Sequence, residues 1–333
     1  MAVTRVAIAA FVAGVLQAQA ARSQPVTVEV AQSGGYSTEE IAAVATQGRV
    51  FGELTPARVR FNVEAAWGRR SGEGSDVFGA AYPYEGPVEV IEAYGERTFL
   101  PGRALFGVKA GRYRTPFGIS SASDHAYMGF LRAPLIRYDD YFALSNSFLE
   151  HGVDLIAGTP HLSVEASAGV PADVGEFDRR PGLGTVVRGQ GAWGPVIVGV
   201  SRINTRPYQN PRFARGRTVF TGIDVRWMHD GVQARGEWIT GRPFDNTSTT
   251  GGYLDLLVHR PAMGPVTAVM RAERLDYDAA PPFAMSAERY TAGTRIRLLD
   301  ELAAQIAIVH QSRQIPQRRA TALDLGLTYS IRR

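Results

Sequence analysis

Apolar and polar residues alternate one by one along most of this chain. In the segment 58–68, the odd positions include Val59 and Val63, while the even positions include Arg60 and Glu64. Successive side chains of a β-strand point to opposite faces, so a period of two predicts a strand with one apolar and one polar face. The alternation recurs in segments of about ten residues, which is the pattern of transmembrane β-strands.

Fourteen such segments can be placed along the chain, and the links between them alternate in length. After even-numbered strands the link is tight and holds turn residues, as in Leu100-Pro101-Gly102. After odd-numbered strands the link is long, and the longest is 115–149. Short turns at one end and long loops at the other are typical of bacterial outer-membrane barrels.

The fold class that follows is all-β: a transmembrane, antiparallel up-and-down β-barrel of about 14 strands, within a range of 12–16. The soluble alternative is an extracellular β-sandwich or β-helix. The loops of a sandwich vary in length at both ends, however, and do not alternate strictly between short and long. The alternation of link length therefore favours the barrel.

The first residues of the chain predict a signal peptide at 1–20. Arg5 precedes an apolar run from Val6 to Leu16, and Ala18-Gln19-Ala20 is a small-x-small cleavage site. The apolar run is well below the ~20 residues that a membrane-spanning helix needs. Together with the barrel pattern, this signal predicts export through the periplasm to the outer membrane.

The residues between the signal and the first clear strand predict a separate unit. Residues 21–56 are more polar, and the sequence from Ser37 to Glu40 resembles a capping box that starts a short helix near 38–46. We therefore expect a short N-terminal periplasmic or plug-like segment at 21–56, followed by a barrel formed by residues 57–333.

Composition narrows the function classes. The chain has no cysteine, which excludes a disulfide scaffold, a cysteine nucleophile and a thiolate metal site. Lys109 is the only lysine among 36 basic residues, so the others are arginines. These arginines are interleaved with acidic residues rather than clustered on one face, which argues against nucleic acid as a partner. The six histidines show no metal-ligand spacing, and we expect no metal and no cofactor.

Three short motifs carry a resemblance to a known family. Glu92-Ala93-Tyr94 lies in the second predicted strand, the run from Phe106 to Gly118 returns through Arg114-Thr115-Pro116-Phe117, and Glu150-His151-Gly152-Val153-Asp154 opens a later strand. The hairpin and this strand start resemble the phosphate-selective porins (the porin O/P family) and their relatives. The resemblance covers about 65 residues. It implies a bacterial outer-membrane porin.

The chain departs from that family in two places. Barrels of this type usually end on an aromatic residue, whereas two arginines follow Tyr329 and Ile331 here. The lysine-rich ladder that binds phosphate in the family is absent, because Lys109 stands alone. Phosphate selectivity is therefore not carried over to this chain.

If the apolar faces meet lipid, the polar faces line the lumen, and an aqueous channel is the function predicted. The arginines predicted on these polar faces slightly outnumber the carboxylates, which suggests a weak preference for anions. The expected partners are outer-membrane lipid and small polar or anionic solutes, and a homotrimer is left open as the assembly. The residues predicted to line the pore are Arg58, Arg60, Glu64, Arg188, Asp224, Arg226, Arg235, Glu237, Arg271, Arg295 and Arg297.

The long 115–149 loop is predicted to fold into the barrel and narrow it. It is rich in aromatic and charged residues, which an external loop facing water rarely needs. Packing against neighbouring loops or a second subunit is the alternative. The residues predicted to form the constriction are Tyr127, Arg132, Arg137, Asp139 and Asp140.

Other functions are weighed against the channel. A structural or adhesive barrel is the main alternative, and a hydrolase is a weaker one. A lipase needs a serine, a histidine and an orienting acid in reach of each other, but the sequence has no G-x-S-x-G. His125 and His161 have serines nearby only in sequence, and His229-Asp230 falls in a predicted turn. We therefore expect that the protein is not an enzyme.

Overall fold

The computed structural model describes ten stretches of the chain. These are residues 26–54, 57–71, 88–119, 130–137, 149–171, 182–206, 217–243, 247–280, 284–314 and 317–333. They form one closed barrel of sixteen antiparallel strands, in which each strand pairs with its neighbours in sequence and the last strand pairs with the first. The strands are numbered in chain order.

The strands are β1 Thr27–Ser37, β2 Ile41–Leu54, β3 Val59–Ser71, β4 Glu89–Phe99, β5 Leu105–Arg114, β6 Leu149–Gly158, β7 Leu162–Pro171, β8 Gly182–Trp193, β9 Val196–Arg206, β10 Thr218–His229, β11 Val232–Arg242, β12 Ser248–Val258, β13 Val266–Asp278, β14 Met285–Arg297, β15 Leu302–Gln314 and β16 Gln317–Arg332. Two three-residue 3-10 turns lie at Leu135–Arg137 and Pro261–Met263. In the described part of the chain, no helix is long and apolar enough to span a membrane.

The fourteen predicted strands correspond to β3–β16, and the barrel has two strands more than expected. The extra pair comes from the segment predicted to be periplasmic or plug-like, and that prediction is wrong. β1 pairs with β16 from Glu29↔Arg332 to Ser37↔Asp324, and β2 pairs with β3. The segment completes the wall because the backbone N–H and C=O groups along the free edges of β3 and β16 need hydrogen-bond partners, which β1 and β2 supply.

The predicted helix near 38–46 is also wrong. Residues 38–40 form a tight turn between β1 and β2, in which the Glu40 amide donates to the Ser37 carbonyl over 3.0 Å. The Ser37 hydroxyl does accept from the Glu39 amide, as a helix cap would. A serine hydroxyl that accepts from the amide two residues later stabilises a turn as well as it caps a helix. The local sequence pattern therefore did not distinguish a helix start from a turn.

The two ends of the barrel differ in the length of their connections. One end, here called the short-turn end, carries links of two to seven residues, such as the turn at Gly194 between β8 and β9. The opposite loop end carries the longest link, between β5 and β6. The chain enters β1 and leaves β16 at the short-turn end, where the backbones of Val28 and Arg333 bond each other in both directions.

The barrel has its apolar residues outside and its charged residues inside. Asp255, Arg271 and Arg289 are buried within it, whereas Leu254 is 58% exposed on the neighbouring outward position. Such an inverted pattern is stable when the outer surface meets hydrocarbon rather than water. The large apolar side chains exposed on this outer belt include Val30, Val90, Phe106, Val108, Val153, Leu155, Val187, Val200, Ile223, Val225, Trp238, Met270, Tyr290, Ile306, Ile308, Leu323, Leu325 and Leu327.

Candidate functional site

The first stretch of the 115–149 loop lies inside the barrel. Phe117 is fully buried, and its ring lies over Gly222 of β10, where a Cβ atom would come within 2.9 Å of it. The amide of Gly118 donates to Ser201 Oγ of β9 over 3.1 Å, and the amide of Ile119 donates to Glu237 Oε2 of β11 over 3.2 Å. The loop therefore crosses the lumen to the far wall immediately after β5.

A second stretch is held near the β1–β16 seam by Arg132. Its Nε and Nη2 atoms donate to both carboxylate oxygens of Asp324 over 2.6 and 2.8 Å, and Nη2 also reaches Glu39 Oε2 at 3.1 Å. Burial disfavours the charged form, but the hydrogen bonds and charge of Asp324, with a smaller contribution from Glu39, raise the pKa of Arg132. This two-pronged pair fixes both position and orientation of the loop.

Two wall arginines hold the backbone of the same stretch. Arg271 of β13 donates to the carbonyl of Arg132 over 2.8 Å, and Arg289 of β14 donates to the carbonyl of Ala133. The Arg271 guanidinium also lies 3.9 Å from the centre of the Phe130 ring. Carboxylates of neighbouring strands fix the orientation of both arginines. The arginines therefore act as fixed hydrogen-bond donors to loop carbonyl groups that would otherwise be buried without a partner.

An apolar patch on the inner wall receives the loop. Leu135 and Ile136 of the loop are buried against it together with Phe117. The wall residues of this cluster come from seven consecutive strands, and they are Val186, Ile203, Phe220, Ile239, Tyr253, Leu275, Tyr277, Met285 and Ala287. Lumen-facing apolar side chains are unfavourable in a water-filled barrel unless something covers them, and the loop does so.

On the opposite side of the lumen a cavity of about 460 Å³ remains between the loop and the wall. It is lined mainly by charged and polar side chains. They are Glu29, Gln47, Arg49, Glu64, Glu92, Tyr94, Lys109, Arg114, Glu165, Arg188, Gln190 and Arg226, with Ala31, Pro116, Gly118 and Ile119. The cavity thus has a polar wall on one side and the loop on the other.

The charges around this cavity are largely paired. Arg114 reaches Glu64 at 2.5 Å and Glu92 at 2.9 Å. The ammonium group of Lys109 lies 2.9 Å from Asp154 and 3.6 Å from Glu165.

The two cavity arginines of β8 and β10 differ in their partners. Arg188 pairs with Asp224 at 2.9 Å, whereas Arg226 donates to the neutral Gln190 and lies 4.0 Å from Asp224. The Arg226 side chain is also 34% exposed, more than that of Arg188. Arg226 is therefore the more accessible of these two cations.

The predicted pore-lining residues fall into different groups. Glu64, Arg188 and Arg226 line the cavity, and Asp224 is buried behind Arg188. Arg235, Glu237 and Arg271 face inward but do not line this cavity. They are buried: Arg235 pairs with Asp255, Glu237 accepts the Ile119 amide, and Arg271 holds the backbone of the 115–149 loop.

The remaining predicted residues lie toward the short-turn end. Arg58 occupies a turn rather than a strand, with φ 52°, and is exposed. Arg60 is exposed and pairs with Glu96 at 2.6 Å. Arg295 and Arg297 line a second cavity of about 300 Å³ near the turn at Asp300.

The residues predicted for the constriction are only partly described. Arg132 is the anchor of the loop, and Arg137 belongs to the 3-10 turn Leu135–Arg137. Tyr127, Asp139 and Asp140 lie outside the described residues.

Several cavity residues were missed by the sequence patterns. Glu29, Gln47 and Arg49 belong to β1 and β2, which the sequence patterns predict to be a separate segment. Lys109 and Arg114 lie in a strand that was predicted correctly. For Lys109 a signal was present in the sequence. It lies between the outward residues Val108 and Ala110, and alternation along the strand therefore places its side chain in the lumen.

The described part of the barrel shows little that could carry catalysis or bind a metal. The described residues hold no cluster of three or more His, Asp or Glu side chains suited to a metal ion. His229 and Asp230 lie 3.1 Å apart, but both side chains are largely exposed in a turn at the short-turn end. A catalytic pair usually needs an enclosed site and a nucleophile in reach, and this pair lacks the enclosure.

Comparison with protein-family models gives no match, and comparison with curated proteins gives none either. Solved structures do match over nearly the whole barrel. OmpT with loop L8 deleted, an outer membrane protein of Vibrio cholerae, has a TM-score of 0.64 at 9% identity, with 93% of this chain and 99% of that chain covered. A trimer form of OmpT from the same organism has a TM-score of 0.62 at 8% identity, with the same coverage.

A variant of the Rh. blastica porin matches with a TM-score of 0.54 at 10% identity, and 93% of this chain and 100% of that chain are covered. At these identities the likeness shows the fold alone. The protein is a closed antiparallel barrel of the kind found in bacterial outer-membrane proteins, with a porin-like architecture. The resemblance to the phosphate-selective porins is not confirmed by these comparisons.

Proposed function

We propose that this protein is an outer-membrane porin, a water-filled channel through which small polar solutes diffuse passively. The observation that carries the proposal is the polar cavity beside the 115–149 loop. A barrel of 16–18 strands leaves an aqueous lumen, whereas ~8 strands are filled by their own side chains. A structural or adhesive barrel has no need to keep a charged cavity beside a docked loop.

The proposal places the apolar belt in the lipid of the outer membrane. Since bacterial outer-membrane barrels have short periplasmic turns and longer outer loops, we assign the short-turn end to the periplasm. The loop end then faces the outside. Lipid is therefore the partner of the outer surface.

The constriction in this proposal is formed by the loop stretches 117–119 and 130–136. They cover much of the inner wall from β8 to the β1–β16 seam, so that solutes pass along the wall of β1–β8 and past Arg226 of β10. On this path, carboxylates such as Glu92 and cations such as Arg226 face a common space. A dipolar solute is oriented by such a field, and a poorly hydrated apolar one is disfavoured.

Ion selectivity is proposed to be weak. Among the described residues lining the cavity, five are basic (Arg49, Lys109, Arg114, Arg188, Arg226) and four are acidic (Glu29, Glu64, Glu92, Glu165). This basic excess of one at the cavity surface supports at most a slight anion preference, because Asp154 and Asp224, buried behind the wall, bring the acidic groups to six and leave almost no net charge.

A homotrimer is the assembly that we propose. The outward positions of β1–β3 combine small residues (Gly34, Ala42, Gly48 and Ala65) with exposed large ones such as Tyr36, a mixture that suits contact with a second copy. The trimer form of OmpT is a precedent in the same fold. Native mass spectrometry of the detergent-solubilised protein tests this assembly.

Planar-bilayer conductance of the purified protein tests the channel itself. We expect ohmic, stepwise currents that scale with salt concentration, because the cavity is hydrated and fixed in shape. A correctly assembled, heat-modifiable barrel that gives no conductance would overturn the porin proposal. In that case the structural and hydrolytic alternatives become the ones to pursue, the latter with ester and peptide substrates.

A further inference from the structure

A shallow groove that contains two basic residues lies on the outer surface of the barrel, where only apolar residues are expected. It is separate from the lumen cavity, with which it shares no lining residue, and has a volume of about 480 Å³. Its lining combines Arg112 and His151 with the apolar or small residues Val90, Ala93, Gly111 and Gly152. The two basic residues are direct cross-strand partners on β5 and β6.

Arg112 faces outward by the alternation of β5. Phe106 and Val108 are 50% and 42% exposed on the same face, while Lys109 between these positions lines the lumen. An outward arginine within an apolar surface is costly unless an interface or a polar partner receives it. A role in the lumen therefore does not explain why an arginine occupies this outward position.

The guanidinium of Arg112 has donors to spare. Its Nε donates to the backbone carbonyl of Ile91 over 3.2 Å, while Nη2 is enclosed without a hydrogen-bond partner. No carboxylate is among the described residues that line the groove. Arg274, another outward arginine near the loop end, instead lies 2.7 Å from Asp276 and 3.9 Å from Glu288. Of these two arginines, only Arg112 has no counter-charge among the side chains that the structure describes.

The floor and the surroundings of the groove suit a lipid. Gly111 has a φ of 132° and faces Gly152 across the strand pair, and no side chain fills the floor between Arg112 and His151. Toward the short-turn end, the exposed side chains of Val108, Val153 and Leu155 continue the surface as an apolar strip. A headgroup in the groove would thus have its acyl chains on this strip.

We propose that this groove, defined by Val90, Ala93, Gly111, Arg112, His151 and Gly152, binds the phosphate of a lipid headgroup in the outer leaflet. A phosphate oxygen accepts from Arg112 Nη1, the guanidinium nitrogen that is neither enclosed nor bonded among the described residues, and from a ring N–H of His151. Basic residues near a membrane surface attract anionic headgroups in this way. The site holds lipid beside the channel and is independent of conduction through it.

The test measures lipid bound to the full, detergent-solubilised protein by native mass spectrometry. The probes are a diphosphorylated lipid A, the same lipid A without its phosphates, and inorganic phosphate. We expect the wild-type protein to bind the diphosphorylated lipid about tenfold or more tightly than the dephosphorylated one, the scale of lost charge-assisted hydrogen bonds. Inorganic phosphate should compete weakly, because it has no acyl chains for the apolar strip.

The variants are Arg112→Met and His151→Gln, with Arg274→Gln as the matched outward control. Methionine suits a lipid-facing position, so Arg112→Met should assemble with wild-type conductance and yet lose the preference for phosphorylated lipid. Arg274→Gln should keep this preference. The proposal is overturned if Arg112→Met keeps the preference, if inorganic phosphate competes as well as the lipid, or if the variant changes only the oligomeric state, which would make a second copy the occupant.

Discussion

Arginine serves two roles inside this barrel. Arg132, Arg271 and Arg289 are buried and fasten the 115–149 loop, whereas Arg226 is open to the cavity. A guanidinium has five donors in a fixed plane, so it can hold a carboxylate and a loop carbonyl at once. Lysine could not replace it in this use, because an ammonium lacks the planar fork.

The first prediction removes the loop anchor with Arg132→Gln. Asp324 then loses its two-pronged partner in a buried setting, which should destabilise the docked loop by about 3–5 kcal/mol. We expect a larger or fluctuating single-channel conductance from a barrel that still assembles. The control is Arg297→Gln, which lies at the other end of the lumen. We expect this variant to give steady currents of wild-type size. A steady wild-type current from Arg132→Gln would show that Arg132 does not hold the constriction.

The second prediction tests which face of the strands meets lipid. Leu325 is 39% exposed on the outer belt, so Leu325→Arg should cost up to about 4 kcal/mol and reduce assembly, measured by the heat-modifiable band on gels. Thr328 lies on the inward face of the same strand and lines the cavity at the short-turn end. Thr328→Arg should therefore assemble normally. The reverse ranking would mean that the faces are inverted.

At the scale of elements, the loop and the inner wall are matched to one another. The wall from β8 to β14 carries an apolar patch toward the loop end, and the loop brings Phe117, Leu135 and Ile136 to it. Neither surface is favourable in water alone, and their contact removes both from it. The docked position of the loop thus depends on the apolar residues of both the loop and the inner wall.

The third prediction deletes residues 125–142 from the loop. This removes the anchor Arg132 and both apolar residues of the 3-10 turn, so the lumen should widen. We expect a clear rise in conductance and in the size limit of solutes that swell proteoliposomes. An unchanged conductance in a properly assembled barrel would rule out a constricting role for the loop.

The fourth prediction concerns the N-terminal strands. Deleting residues 26–54 removes β1 and β2, which supply Glu29 and Arg49 to the cavity and bond β16 and β3 on either side. We expect the heat-modifiable form to be lost, because β3 and β16 would have to pair in a narrower barrel around an unchanged loop. Trimming residues 174–179 from an outer link is the control and should be tolerated. Assembly of the larger deletion at wild-type stability would favour a separable N-terminal segment.

At the scale of the whole molecule, charge pairing sets what the proposed channel can discriminate. Carboxylates and guanidinium groups balance one another around the lumen, as in the pairs of Arg188 with Asp224 and Arg114 with Glu64. Paired charges fix the shape of the wall but contribute little net potential. Selection then depends mainly on size and polarity, with only a small bias between ions.

The fifth prediction measures this bias as a reversal potential across a salt gradient. Arg226→Gln should shift selectivity toward cations and Glu29→Gln toward anions, because each removes one charge from the cavity. The two shifts should have opposite sign and similar size, around a wild-type value near zero. Shifts of the same sign would show that the variants act by distorting the wall rather than through their charge.

The sequence by itself determined the strands that alternate strictly. β3–β16 were predictable because each carries a lipid face and a lumen face with a period of two, and because hairpin turns mark their ends. The inward direction of Glu64, Arg188 and Arg226 followed from the same parity. These features are local, because the residues of a single strand are enough to show which face meets lipid and which face meets the lumen.

The tertiary structure alone decided the closure and the site. β1 and β2 have weak alternation and a turn that mimics a helix cap, and only pairing with β16 and β3 makes them strands. Likewise, nothing local in β13 distinguishes Arg271, which holds the loop backbone, from Arg226 of β10 in the open cavity. That difference depends on which wall the 115–149 loop covers, and residues far apart in sequence, such as Arg132 and Asp324, determine it.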